Sequence, residues 1–464
     1  MEAWQRIAVQ GVFWVASALT LLLILRRPYL AVRLRSRRLR VPSYFLGALL
    51  GPVLILSFGF LSYQDVVRSI AGSEALQPGG VLALFLAMVF MSIFLDVTGF
   101  FEMCARYALR FARGDGRRLF LTLYAVVSIL TVFTSNDVVI LTFTPFVYYF
   151  ARAARLDPTP YLVAEFFAAN TWSMMLYVGN PTNILLAGAC GLDFVGYSAW
   201  MALPTVAAGA TSLGLLRFVF RREIGRPFDP PPEDARPVDA LTDRAGALMG
   251  ALLLLTCIVL LAVAPYVGLR MWGVSVVCAA VLLVVVAARD SYAALLRQRV
   301  GRPNSRMKQA FVRMPWTVVP FVLSLFVTVE ALYRYGVTAS LARLLGRVAE
   351  VIPGGIVAAY GTASTIAANL VNNIPMSLGF TFLMKDLAGV ELDAAVLSTV
   401  VGSNLGANVT PLGALAGILW MGILHDKEHP ILFLTFVKYG LLVTPLTLAA
   451  ALLVLYVELS LFAG

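Results

Sequence analysis

Thr134-Ser135-Asn136-Asp137 and Val371-Asn372-Asn373-Ile374-Pro375 interrupt two long apolar stretches, one in each half of the chain. Each is followed by a second interruption of the same kind. The first is Val178-Gly179-Asn180-Pro181-Thr182-Asn183, and the second runs from Val401-Gly402-Ser403-Asn404 through Gly406, Asn408 and Thr410 to Pro411. An unpaired amide or hydroxyl is costly in hydrocarbon. Polar, helix-breaking residues at corresponding places in two halves are therefore the best sequence pointer to the binding site of a membrane carrier.

Composition supports a membrane reading. Of 464 residues, 60% are hydrophobic and 13% charged, against about 25% charged in soluble proteins. Apolar runs of roughly 17 to 25 residues match a bilayer core about 30 Å thick. The run Val9–Leu25 lacks a basic leading segment and is followed by Arg26-Arg27 rather than small residues, so it reads as a retained helix and not a signal peptide.

The net charge of +11 comes from clusters beside these runs. Arg26 to Arg40 contains seven arginines, Arg106 to Arg118 five and Arg217 to Arg244 six; Arg289 to Arg313 contains six together with Lys308. Their positions follow the positive-inside rule, which explains them without nucleic acid. With these loops in the cytoplasm and the amino terminus outside, spans are expected at 8–25, 42–62, 80–104, 158–187, 200–218, 246–265, 272–288, 316–334, 394–424 and 431–460.

Residues 119–151 and 353–385 do not fit as single spans, because each begins and ends on one side. Each is expected to be a re-entrant helical hairpin with its polar tip at membrane depth, tolerated there only if protein or a water-filled cavity surrounds it. Ser92-Ile93-Phe94-Leu95-Asp96-Val97-Thr98 resembles Ser324-Leu325-Phe326-Val327-Thr328-Val329-Glu330, and a hairpin follows each. The expected fold is an all-α polytopic membrane protein of two inverted repeats. Each repeat has five transmembrane helices and one hairpin; an odd number of spans makes the second half run opposite to the first. The halves are 1–220 and 244–464, joined by a cytoplasmic linker, 221–243, that contains Pro227, Pro230, Pro231, Pro232 and Pro237.

Pro181 and Pro411 remove backbone donors and free carbonyls a turn earlier, and neighbouring glycines permit unwinding. The side chains expected to bind solute are Ser135, Asn136, Asn180, Thr182, Asn183, Asn372, Asn373, Ser403, Asn404, Asn408 and Thr410. They offer donors and acceptors to a small polar solute or an oxygen-ligated cation. The bland alternative is that these asparagines only satisfy one another across helices. Asp137 is the ionisable group at a hairpin tip; burial favours its protonated form, which suits proton coupling. Asp96 and Glu330, at matching places in the repeat, are reserves for that role, and Glu165 is expected to be structural. His425 and His429 read as interfacial, and Cys104, Cys190, Cys257 and Cys278 as free thiols without metal or disulfide spacing. No nucleotide motif, metal-ligand cluster or nucleophile–base arrangement occurs, so neither an enzyme nor a cofactor is expected.

Phe133 to Asp137 followed by Thr144-Pro145, Ala169-Asn170-Thr171-Trp172-Ser173 to Asn183, Asn372 to Pro375, and Gly402 to Trp420 resemble, in order, the signatures of the arsenite/antimonite efflux pumps of the ion transporter superfamily. The resemblance spans about residues 80 to 424. It implies a secondary carrier in the inner membrane of a prokaryote, exporting arsenite and antimonite as neutral trihydroxides in exchange for protons. A separate ATPase subunit is a possible partner. The chain departs from the pumps at Asn170, Asn404 and Ala407-Asn408, where acidic residues and a proline-lysine pair are common in the family. The more neutral site also accommodates two alternatives, a cation-coupled carboxylate or anion transporter and a sodium–proton antiporter.

Overall fold

In the computed structural model, residues 3–26, 29–34, 37–71, 78–229, 236–296, 305–352, 354–427 and 431–462 are described. The chain begins with α1 (Ala3–Arg26), a ribbon of β1 (Tyr29–Leu34) and β2 (Arg37–Pro42), α2 (Tyr44–Ser57) and α3 (Tyr63–Ala71). Next come α4 (Pro78–Val97), α5 (Phe100–Ala112), α6 (Gly116–Phe133), α7 (Asn136–Ala153), α8 (Thr159–Trp172), α9 (Pro181–Ala189) and α10 (Phe194–Val219). The second half opens with α11 (Arg244–Val263), α12 (Met271–Leu296) and α13 (Arg306–Arg313). It continues with α14 (Val318–Arg334), α15 (Val337–Val351), α16 (Gly355–Val371), α17 (Asn373–Leu383), α18 (Gly389–Gly406), α19 (Leu415–Asp426) and α20 (Phe433–Phe462).

The same order of helix kinds occurs twice. An apolar helix, α4 or α14, is followed by an amphipathic one, α5 or α15, entered through a glycine of positive φ, Gly99 (86°) or Gly336 (72°). A closely linked helix pair follows, α6–α7 joined by Thr134-Ser135 and α16–α17 joined by Asn372. A helix that stops mid-segment comes next, then a long closing helix.

Several expected spans are revised. Eight helical segments among the described residues are long and apolar enough to cross a bilayer. Segments 158–187 and 394–424 are not continuous helices but α8 and α9, and α18 and α19, with non-helical chain between. Segment 80–104 divides at Gly99. A side chain there would meet the Ala240 carbonyl, and the left-handed turn ends α4 so that α5 leaves as an amphipathic helix. Segment 42–62 gives only the 14 residues of α2, about 21 Å at 1.5 Å per residue. The all-α expectation has one exception: the basic stretch after α1 pairs as an antiparallel ribbon in the register Tyr29↔Pro42 to Leu34↔Arg37.

The proline-rich linker is not wholly extended either. Phe228 N–H bonds the Gly114 carbonyl, Pro237–Ala240 forms a 3-10 turn, and Thr242 N–H bonds the Thr98 carbonyl, so its described parts pack on the first half. Pro230, Pro231 and Pro232 lie outside the described residues, as does His429. At its end Asp243 caps α11 through Gly246 N–H and meets Arg289 and Arg306. Burial pushes the Asp243 carboxyl up, but the Gly246 N–H and the two guanidiniums outweigh it and hold it below the usual carboxylate range.

The halves interlock: α12 packs against α4, α2 against α14, and α10 against α20. The centre of the described structure is α8 and residues 394–406 of α18, which are almost all buried, whereas α11, α12 and α20 expose rows of large apolar side chains such as Leu248, Leu252, Val277, Val284, Leu446 and Leu453. That is the pattern of a lipid-facing rim around a protein-packed middle. Gly402 sits where α18 crosses α16. A Cβ there would run into the Ser364 hydroxyl and the Gly361 carbonyl. Gly402→Ala is expected to cost about 1–3 kcal/mol by overpacking, read as a lowered melting temperature in detergent. Gly214→Ala, with open space around it, should leave melting unchanged.

Candidate functional site

The non-helical stretches of α8–α9 and α18–α19 meet the tip of α6–α7, and asparagine side chains join them across the two halves. Asn404, two residues before the end of α18, is the hub. Its Oδ1 accepts from Ser173 Oγ and Asn180 Nδ2, each at 2.8 Å, and its Nδ2 donates to Asn183 Oδ1 at 2.8 Å and to the Val400 carbonyl at 2.9 Å. Asn170, two residues before the end of α8, stands in the reciprocal position. Its Nδ2 donates to Asn408 Oδ1 at 3.2 Å and to the Phe166 carbonyl at 3.1 Å, while its Oδ1 accepts from Asn136 Nδ2 at 3.1 Å. Each of these asparagines thus holds its own helix four residues back and an asparagine of the opposite half. Asn136 N–H also donates to the Gly179 carbonyl at 3.2 Å, tying the hairpin tip to the first break.

Three helices begin in or beside this cluster. α7 starts at Asn136 behind Ser135; α9 starts at Pro181, with Asn180 Oδ1 accepting from Thr182 N–H at 3.1 Å. α17 starts at Asn373 and packs against α9 and α18. Its cap, Asn372, has φ 76° and ψ 153°, a strained backbone conformation that residues other than glycine rarely adopt. Asn372 bonds Ile374 N–H and the Leu412 carbonyl. Such helix starts carry partial positive charge, favouring electron-rich oxygen nearby.

Asparagine pairing does not exhaust the polar groups. Ser135 Oγ, Asn136 Oδ1, Thr182 Oγ1 and Asn373 Oδ1 are buried and have no hydrogen-bond partner among the described residues. Buried polar atoms are normally paired, and exceptions call for a functional explanation. Two hydroxyls and two amide oxygens, with no lysine or arginine among the cluster's members, can bind a small neutral solute that itself both donates and accepts.

Other expected residues stand apart. Ser403 Oγ pairs with Ser377 of α17 at 3.3 Å. Thr410 is held by Asn369 Oδ1, which accepts from its N–H at 3.0 Å and its hydroxyl at 2.7 Å. Asp137, in the first turn of α7, is half-buried and has no ion pair among the described residues. Asp96 forms an ion pair with Arg313 at 2.6 Å and bonds Thr142 of α7. Glu330 lies within electrostatic reach of Lys385, Arg334 and Asp65. His425 is exposed. Asn170 and Ser173 are parts of the network that motif reading left out of the site, and Asn369, which holds Thr410, was left out as well. The matched position of Asn170 and Asn404, each two residues from a helix end, is a signal that could have found the first of them.

Comparison with known proteins places this architecture. The model of a citrate-transporter family matches residues 21–402. The arsenical pump membrane protein of Yersinia enterocolitica is 29% identical over 385 residues, covering 82% of this chain and 86% of that protein. Its counterpart in Escherichia coli K12 is 29% identical over 424 residues, covering 89% and 93%. Among solved structures, the YdaH transporter of Alcanivorax borkumensis aligns over 98% of both chains, with 16% identity and a TM-score of 0.55. The antimetabolite efflux pump MtrF of Neisseria gonorrhoeae aligns over 97% of both, with 14% identity and a TM-score of 0.50. These two matches establish likeness of fold. The protein is a multi-pass transporter of a prokaryotic inner membrane. By the extent of the family match, the chain belongs to the citrate-transporter family of the ion transporter superfamily, and within it is an arsenical-pump-like member.

Proposed function

We propose that this carrier exports trivalent arsenic and antimony as neutral trihydroxides, in exchange for protons, from a site at the contact of two inverted halves. The observation that carries the reading is the set of four unpartnered, uncharged buried oxygens of Ser135, Asn136, Thr182 and Asn373 beside three helix starts. A trihydroxide presents three O–H donors and lone pairs to such a set. The likeness to arsenical pump membrane proteins over most of the chain supports the same cargo.

The inverted arrangement draws on the recurring order of helices and on the reciprocal bonds of Asn170 and Asn404. In this reading 1–220 and 244–464 are the repeats, 221–243 links them, and α6–α7 and α16–α17 are re-entrant hairpins. Their tips at Ser135-Asn136 and Asn372 contact the chain that interrupts α8–α9 and the chain leading to α19, respectively. Asp137 carries the exchanged proton. An ATPase subunit is not needed for this scheme and would add a second energy source.

The family's citrate-transporter description favours a second reading, carboxylate transport. Against it stands the absence of lysine or arginine among the cluster's members; a polycarboxylate would be left with helix dipoles alone. Everted membrane vesicles energised by respiration, offered arsenite, sodium and citrate in turn, separate the cases. Arsenite accumulation that sodium and citrate do not supply or inhibit is expected; citrate accumulation would replace the proposal with the second reading.

Ligation by amides and hydroxyls also means that thiolates are not required. Cys104, Cys190, Cys257 and Cys278 are free thiols, none of which hydrogen-bonds to the asparagine cluster among the described residues, and Cys257 meets Met88, sulfur to sulfur at 3.9 Å. A variant with serine at all four positions is expected to keep arsenite transport near the wild-type rate. Loss of transport in a folded cysteine-free protein would argue for thiol ligation.

A further inference from the structure

Helix α7 is fastened to its neighbours by one hydroxyl–carboxyl contact on either side. Thr142 meets Asp96 of α4, and Thr144 Oγ1 donates to Glu165 Oε1 of α8 at 2.9 Å. The two carboxyls differ in their surroundings. Asp96 has the Arg313 guanidinium at 2.6 Å. Glu165 is 1% exposed, and its Oε2 has no partner among the described residues.

Among the described residues, the elements around α8 supply Glu165 with no counter-charge. It packs against α6, α7, α10 and α18, and Phe166 and Phe167 reach α19 and α20. The charged groups of these helices are Arg117 and Arg118 on α6, Asp137 and Arg152 on α7, Arg217 on α10, and Glu391 and Asp393 on α18. α19 adds His425 and Asp426, and α20 adds Lys438 and Glu458. Among the described residues none forms an ion pair with Glu165. The hydroxyls of Tyr124, Tyr161 and Tyr197 donate to the carbonyls of Gly209, Gly116 and Met174 instead. A carboxylate with one hydroxyl donor and no cation is far more costly to bury than the protonated acid. The neutral acid fits this site.

Position makes that proton useful. Glu165 lies five residues before Asn170 on α8, about 7.5 Å along the axis at 1.5 Å per residue, toward the end that follows Arg152 and Arg155. Thr144 is seven residues after Asp137 on α7, hence on the same face two turns away. The Thr144–Glu165 contact therefore sits between the asparagine cluster and the basic end of the hairpin, across the seam where α7 meets α8.

We propose that Glu165 is a proton-carrying positioning residue of the transport cycle, protonated while Thr144 and α8 stay in contact and giving its proton toward the cytoplasmic side when α7 and α8 separate. This rests on the proton-exchange reading above and adds a second carboxyl to Asp137. Glu165 does not touch solute.

Infrared difference spectroscopy on the purified full-length protein tests it without transport. Wild type should show the C=O stretch of a protonated carboxylic acid that is lost in Glu165→Gln, retained in Asp137→Asn, and diminished both by raising the pH and by adding arsenite. In reconstituted vesicles Glu165→Gln should keep arsenite exchange while its pH-gradient-driven accumulation falls at least tenfold. A Glu165 band indifferent to both pH and arsenite, or no such band, overturns the proposal, as does full accumulation by Glu165→Gln. If that variant does not fold, Thr144→Val, which removes the hydroxyl donor alone, should shift the band and the pH profile; an unchanged band and profile would equally overturn it. If wild-type protein moves no arsenite while the band still titrates, the cargo reading fails and the protonation site stands.

Discussion

Asn404→Ala is expected to abolish arsenite transport and to lower stability measurably. The substitution strips Asn180 Nδ2 and Asn183 Oδ1, both of the opposite half of the chain, of their partner at one stroke, while Ser173 keeps the Asn170 carbonyl as its acceptor. Leaving a buried polar group unpaired costs about 1–3 kcal/mol, and interhelical bonds within membranes average nearer 0.6 kcal/mol. Together the two losses should amount to roughly 1–4 kcal/mol. Asn404→Asp tests geometry against charge. A carboxylate can still accept from Ser173 and Asn180, but it faces the oxygens of Asn183 and Val400. Partial transport that improves as the pH falls is the expected result, since protonation restores a donor. Equal failure of both variants would mean that the amide itself is required. Undiminished transport by Asn404→Ala would remove the hub from the account.

Asp137→Asn is expected to bind arsenite and exchange it down a gradient while losing accumulation. A neutral solute takes no energy from the membrane potential directly, whereas one charge crossing is worth about 2.3 kcal/mol per 100 mV. At 1.36 kcal/mol per tenfold, that supports a gradient of roughly fiftyfold. Asparagine keeps the size and hydrogen-bonding capacity of the aspartate and removes its titration. Asp137 is singled out because it lies in the first turn of α7, one residue from the network, with no ion pair among the described residues. Asp96 is already matched by Arg313, so Asp96→Asn should chiefly loosen α13 from α4. Full pH-driven accumulation by Asp137→Asn would move the coupling role to another carboxyl.

The membrane class and the polar centre were readable because both rest on strong local signals: apolar length, and asparagine or proline where hydrocarbon punishes them. Asn136, Asn180, Asn183, Asn404 and Asn408 come together as their motifs implied. Asn170 was harder to read as a site residue. It sits near the end of an apolar helix without a proline after it, and its importance depends on Asn408, far away in sequence. The division of 80–104 at Gly99 escaped a hydropathy reading because α5 remains apolar on one face. The ribbon after α1 escaped because clustered arginines mask the alternation of Leu30, Val32 and Leu34. Depth alone points to a structural role for Glu165; that no described cation pairs with it depends on the packing of α8, which hydropathy does not carry.

Exchange of a neutral metalloid hydroxide for protons is expected of this chain alone. Purified protein in proteoliposomes, free of any ATPase and given an acidic lumen, measures it directly through arsenite uptake and lumenal pH. The predicted result is accumulation of arsenite with simultaneous alkalinisation of the lumen, both abolished by collapsing the pH gradient and unaffected by sodium or citrate. Arsenite uptake without proton movement, or proton movement driven by sodium or citrate instead, would contradict it.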